Sequence, residues 1–434
     1  MEPLTVGLVG LAIMVVLIFM GVPIAVSLGI LGLAGNAVLT DFSRSSTQLQ
    51  LVLWEMATNF LLITVPLFIF MGQLAFRTGI GRDMFGAVYR WFGWVPGGLA
   101  VAATVSSAAF GAVTGSSIAA TAAMGSIILP EMRRYKYDIK LATGSIAAAG
   151  TLAILIPPSI PMIIYGIWTE TSIPELFIAG IIPGILMCVL FCLWIIGISM
   201  FNPALASRGL SYSWGERLRS LGSTLPIIIV FVLVLGGIYG GVMTPTEASA
   251  FGCMAVGLVA LLMGRLTWDG FRRAALESVS MSATLILVIV GGILVSRFLV
   301  LTELVPTFVK AVNDLAFDRY VVVAMFVVLY LILGCVLEAF GMLVLTLPFV
   351  MPIFLGLGFD KVWLGIFVTI MIELALITPP VGINVYVMRT VAPDVPLMTI
   401  FRGAAPFVII VLAGLAVITV FPEIVLWLPR QMRQ

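Results

Sequence analysis

Two short stretches decide how this chain is built: Ile154-Leu-Ile-Pro157-Pro158-Ser-Ile160 and Leu376-Ile-Thr-Pro379-Pro380-Val-Gly382. They lie 222 positions apart. The same gap-free shift lays Pro23 on Pro245, Ser27 on Ser249, Gly35 on Gly257 and Pro130 on Pro352. Proline is rare enough that one register serving all of these points to an internal duplication, the first thing a sequence should be searched for. Each Pro-Pro also interrupts an otherwise apolar run. A proline inside a helix removes one hydrogen bond and obstructs another, so two in succession unwind the segment locally.

Outward from these breaks, the composition places them in a membrane. Hydrophobic residues make up 62% of the 434 and charged residues 10%, against roughly 45–50% and about 25% in a soluble domain. Runs long enough to approach the ~20 apolar residues of a spanning helix include Leu4–Met20, Leu61–Leu74, Ala179–Met200, Pro226–Tyr239, Ser280–Ser296 and Pro406–Val420. The class is an all-α polytopic membrane protein with the lipid bilayer as its solvent. The formal net charge is only +2, so nothing suggests nucleic acid as a partner. Met1-Glu2-Pro3-Leu4 lacks the basic start of a cleaved signal, and the first helix is expected to be retained. The four cysteines, Cys188, Cys192, Cys253 and Cys335, all lie in apolar runs and read as small apolar residues rather than disulfides. There is no histidine, which removes the usual haem ligand, imidazole zinc site and histidine proton relay. No P-loop motif occurs, so ATP is not hydrolysed through one.

Basic residues accumulate in cytoplasmic loops. Arg77–Arg90 and Glu131–Lys140 carry seven of them and face the cytoplasm, so the Gly/Ala/Ser-rich segment between them, Gly97–Ile128, must enter and return as a re-entrant hairpin. Trp168–Glu175, with two glutamates and no basic residue, faces outward; the next loop, with Arg208, Arg217 and Arg219, faces inward. Each repeat then has an odd number of crossings and the second is inverted. The expected organisation is 1–222 (scaffold helices 4–40, arm 41–59, hairpin 97–130, broken helix 139–167) and 223–434 (scaffold 224–264, arm 265–280, hairpin 321–352, broken helix 361–389), with about ten spanning helices, two re-entrant hairpins and both termini outside.

Carbonyls freed at membrane depth persist only where protein, water or an ion satisfies them, and paired breaks in an inverted repeat point to a carrier's binding region. The first hairpin carries Gly111, Thr114, Ser116 and Ser117; such glycines, hydroxyls and carbonyls make a neutral oxygen cage suited to sodium. Small residues also simply pack helices closely. Glu338, opposite Ser116 in the 222 register, and Glu373 are ionisable groups in apolar segments, functional by default; their bland readings are helix capping and pairing with free amides near the break. Arg297 could meet an anion or snorkel. Glu247 reads as a structural first-turn residue.

The chain resembles the large membrane subunit of tripartite ATP-independent periplasmic (TRAP) transporters over essentially its whole length. The carriers are Gly115-Ser-Ser-Ile-Ala-Ala-Thr121, Gly150-Thr151-Leu-Ala-Ile-Leu-Ile-Pro-Pro-Ser-Ile-Pro161, Glu338-Ala-Phe-Gly-Met342 and Leu376-Ile-Thr-Pro-Pro-Val-Gly382. Ala153 departs from the glycine of the family pattern. The resemblance implies an elevator-type ion-transporter fold in the bacterial inner membrane. It also implies a small four-helix membrane subunit and a periplasmic substrate-binding protein as partners, and sodium-coupled uptake of a small organic anion such as a C4-dicarboxylate. No cofactor is implied beyond sodium as coupling ion. By analogy the first sodium site would use Gly111, Thr114, Ser116, Ser117, Gly150, Thr151 and Pro157. The second would use Gly334, Glu338, Gly341, Thr378, Pro379 and Gly382. Ser159, Arg297, Glu373 and Asn384 are the substrate candidates.

The alternatives are a stand-alone sodium/dicarboxylate symporter or ion antiporter of similar fold, and a respiratory-complex subunit, disfavoured by the missing histidines. An intramembrane enzyme has no Ser/His, Cys/His or paired-Asp constellation to work with.

Overall fold

The computed structural model describes residues 2–207 and 209–432, so Arg208 of the expected inner loop lies outside the described residues. The first series of helices is α1 (Pro3–Phe19), α2 (Ile24–Leu39), α3 (Phe42–Thr58), α4 (Thr64–Arg77), α5 (Ile80–Phe92), α6 (Gly98–Thr114), α7 (Ser117–Arg134), α8 (Ile139–Thr151), α9 (Ile160–Thr169) and α10 (Ile173–Phe201). The second is α11 (Trp214–Tyr239), α12 (Pro245–Leu262), α13 (Trp268–Leu301), α14 (Leu304–Asp314), α15 (Arg319–Leu333), α16 (Ala339–Gly356), α17 (Lys361–Ala375), α18 (Ile383–Val391), α19 (Leu397–Val420) and α20 (Glu423–Met432). A shift of 222 carries the bounds of α7 onto those of α16, and the starts of α8 and α9 onto or within one residue of those of α17 and α18. The caps repeat too. Asp138 accepts from Lys140 and Leu141 N–H at 3.0 Å, and Asp360, its counterpart, from Val362 N–H at 2.7 Å, each satisfying donors that a helix start leaves open. One difference stands out: α3 and α4 are separated by a 3-10 turn at Phe60–Ile63, whereas their counterpart α13 runs unbroken for 34 residues.

Among the described residues, six helices are long and apolar enough to cross a membrane: Phe60–Arg77, Ile173–Phe201, Pro245–Leu262, Trp268–Leu301, Ala339–Gly356 and Leu397–Val420. Further apolar helices are shorter, among them Pro3–Phe19, Ile24–Leu39, Ile139–Ile154 and Ile160–Thr169. The expected span at 139–167 is thus built from two pieces around Pro157-Pro158, neither sufficient alone.

Two helix pairs approach unusually closely. In one, α2 lies along α13 with almost no side chain between them: a Cβ at Gly32 would stand 2.4 Å from Leu294 Cβ, and Asn36 Nδ2 donates to Leu294 O at 3.0 Å. In the other, α8 crosses α19 backbone to backbone, since a Cβ at Gly144 would lie 2.1 Å from the Gly403 carbonyl carbon. Small residues allow such approaches where apolar surface gives helices no other reason to associate. α6 and α7 return on themselves through Gly115, whose φ of +58° favours glycine. Both ends of this hairpin meet at Tyr137, whose hydroxyl accepts from Leu99 N–H and donates to Ser207 O. The segments expected on the cytoplasmic side are tied together: Arg77 pairs with Glu277, Arg265 with Asp83, and Arg133 grips both oxygens of Asp394 at 2.8 and 2.9 Å. That grip holds the Asp394 carboxyl below the usual range. All four cysteines are free, and Glu247 forms a capping box with Thr244.

Candidate functional site

Each helix break is held by the tip of one hairpin. At the first, Gly111 on α6 leaves room for the turn that follows α8: a Cβ there would stand 2.3 Å from Ala153 Cα. The extra methyl of Ala153 therefore sits opposite a residue without one. A Cβ at Gly115 would lie 2.6 Å from Pro158 O, and one at Gly150 would lie 1.9 Å from Thr121 Oγ1 and 3.3 Å from Ser117 O. Gly111, Ser117 and Gly150 are thus drawn together at the first break, whereas the Thr114 backbone packs against Gly72 of α4. At the second break, Gly334 packs on Ala375, whose Cβ would stand 2.8 Å from a Cβ at the glycine, and the Cys335 thiol donates to Pro379 O at 3.3 Å. Ala153 and Ala375 are repeat equivalents, so the two tips dock alike. Gly382 enters α18 with φ +45°, and the Thr378 hydroxyl is spent on Leu374 O. Gly341 lies elsewhere, against Ile24 of α2.

The two repeats meet between the breaks. Thr151 Oγ1 donates to Glu373 Oε1 at 2.7 Å, across a separation of 222 positions, and both residues are wholly buried. Asn384 Nδ2 donates to Ser117 Oγ at 2.6 Å and to Ala147 O at 3.1 Å, locking α18 onto α7 and α8. Ser159 caps α9 and donates to Ile154 O. Several buried polar atoms have no hydrogen-bond partner among the described residues, including Thr114 Oγ1, Thr121 Oγ1, Glu373 Oε2 and Asn384 Oδ1. A buried oxygen without a donor is costly, and hydroxyl and carbonyl oxygens of this kind fit a dehydrated monovalent cation.

A cavity of about 230 Å³ opens where the hairpin tips approach α13, lined by Gly115, Ser116, Ser117, Glu338, Ser280 and Thr284 together with apolar side chains. Ser116 and Glu338, 222 positions apart, are the N-caps of α7 and α16, so two helix N-termini face one space. Ser116 caps its own helix, accepting from Ala119 N–H at 3.3 Å; Glu338 makes no cap bond, so its bland reading as a helix cap is not realised. The four substrate candidates do not converge. Ser159, Glu373 and Asn384 are fully buried behind the cavity wall, and Arg297 lines a separate cavity of about 860 Å³ beside Trp168. Ser280 and Thr284 carry no signal in the sequence, because on a spanning helix a Ser or Thr commonly spends its hydroxyl on its own backbone.

An all-helical chain with paired helix breaks, two hairpin tips and a shared cavity is a multi-pass membrane carrier. The family model for the tripartite ATP-independent periplasmic transporter, DctM component, matches residues 11–424. A C4-dicarboxylate TRAP transporter large permease of Pseudomonas aeruginosa is 34% identical, over 92% of this chain and 93% of its own length. A sialic acid large permease of Vibrio cholerae is 31% identical (95% and 96%), and an isethionate permease of Oleidesulfovibrio alaskensis is 30% identical over 93% of this chain and 63% of its own length. The crystal structure of the YdaH transporter of Alcanivorax borkumensis superposes with a TM-score of 0.62 at 13% identity, covering 88% of this chain and 89% of that one; the likeness is one of fold. The chain belongs to the TRAP transporter large-permease family, and is a transport protein of the bacterial inner membrane rather than an enzyme.

Proposed function

We propose that this permease carries a small organic anion, a C4-dicarboxylate or related carboxylate, by sodium-coupled uptake, with the cavity between the hairpin tips as its binding site. The observation that supports this most directly is the meeting of Ser116 and Glu338, at equivalent positions of the two repeats, in one cavity beside both helix breaks. Sodium would be held by the oxygens around Gly111, Thr114, Ser117, Gly150 and Pro157, and by those around Gly334, Thr378, Pro379 and Gly382; when bound it supplies positive charge next to the anion. The two repeats are inverted, and the group holding both hairpins moves against α2 and α13 as an elevator. A small four-helix membrane subunit and a periplasmic binding protein complete the system. Relatives are named for a C4-dicarboxylate, sialic acid and isethionate, which are small organic anions, and others for ectoine, a zwitterion that keeps a carboxylate; an anionic acid group common to these cargoes supports the class.

The test is uptake of radiolabelled C4-dicarboxylates and sialic acid into proteoliposomes holding this subunit and its small partner, with and without a sodium gradient and binding protein. Accumulation that needs both is the expected result. Sodium-driven uptake without any binding protein would replace the tripartite reading by a stand-alone symporter.

A further inference from the structure

α13 borders two cavities at successive levels along its length. Met281 and Leu285 line the hairpin-tip cavity, and Ile289, Ile293 and Arg297 line the larger one. These five residues follow one another at steps of four, each step turning about 40°, so they form a row that winds about 160° around the helix from one cavity to the other. The cavities are divided where α16 and α9 press on α13: a Cβ at Gly292 would collide with Val344 at 1.6 Å and lie 3.3 Å from the Trp168 ring. From Leu285 to Arg297 the row extends about 18 Å at 1.5 Å per residue. It is apolar until it ends in a guanidinium.

Arg297 is half-buried and makes no ion pair or hydrogen bond among the described residues. A guanidinium presents five N–H donors in a planar fork that matches a carboxylate, and here they face a space of about 860 Å³. Glu55 and Glu170 also border it, but both are exposed to solvent, where their charge is screened. We infer that the Arg297 cavity is a second anion site, taking one carboxylate group of a small organic anion, at a separate station from the hairpin-tip site along the same helix. The ligand class rests on the carrier reading above; the site itself does not.

The test needs no transport. The purified permease in nanodiscs is treated with phenylglyoxal, and modification of Arg297 is followed by peptide mass spectrometry with exposed Arg272 as internal reference. N-acetylneuraminate is the carboxylate probe, and N-acetylmannosamine and chloride at matched concentration and ionic strength are the controls. Arg297 should react, and its rate should fall about tenfold at a probe concentration ten times the Kd, by mass action, with Arg272 unaffected. An unreactive Arg297, a rate that the carboxylate does not change, or equal slowing by the neutral sugar or chloride would overturn the proposal. Any of those results would leave sodium-driven uptake intact, and failure of uptake would leave protection of Arg297 readable.

Discussion

At the scale of single residues, the contact between Gly111 and Ala153 decides how closely the first hairpin can grip the first break. A methyl at Gly111 would need space that Ala153 Cα already occupies at 2.3 Å, and backbone cannot swing aside as a long side chain can. Gly111→Ala should therefore cost about 1–3 kcal/mol, the usual range for overpacking, seen as a lowered unfolding temperature in detergent. Adding Ala153→Gly should restore part of the loss, because it removes the competing methyl. The positions that matter at this scale are legible in the sequence, since glycines and hydroxyls cluster at the tips and the register aligns Ser116 with Glu338. Their partnerships are not. Thr151 and Glu373 read in sequence as ligands of different species, yet they bond to each other. A linear register tells which positions are equivalent and is silent on whether the two copies face one another.

At the scale of elements, the prolines and aspartates that begin and break helices announce most of the boundaries, as Asp138 and Asp360 do for α8 and α17. The unbroken run of α13 is less legible, because its counterpart in the first half stops at Asn59 and nothing in the apolar pattern alone separates a joint from a continuous helix. The end of α7 is tied to the connection between α18 and α19 by Arg133 and Asp394. The Asp394 carboxyl titrates below its usual value because Arg133 bonds to it. A depressed folded-state pKa means that the pair stabilises fully above the unfolded value, about 4, and that this contribution vanishes as pH falls through the folded value. Asp394→Asn should thus lower thermal stability slightly at neutral pH and not in strong acid. The difference should shrink in high salt, as befits an exposed pair. Unfolding scans of both proteins across pH and ionic strength check this.

At the scale of the whole molecule, the ion pairs Arg77–Glu277, Asp83–Arg265 and Arg133–Asp394 gather the basic ends of both halves, while Trp168–Glu175 lies at the far end of α9. In a cysteine-free background, Ser172→Cys should react with a membrane-impermeant thiol reagent added outside intact cells. Arg134→Cys should react only after the membrane is opened. Labelling of both from one side would refute the inverted arrangement.

The bond between Thr151 and Glu373 has a consequence for how such a molecule can come to exist. Two identical chains associating about a twofold axis must present the same side chain at a position that touches its own copy, so a glutamate there would confront a glutamate and a threonine a threonine. A single chain that carries both copies is free of that constraint. Once the copies are free to differ, as two copies within one chain are, the self-facing position can hold an acceptor on one side and a donor on the other, and this chain holds that unlike pair where its two repeats meet.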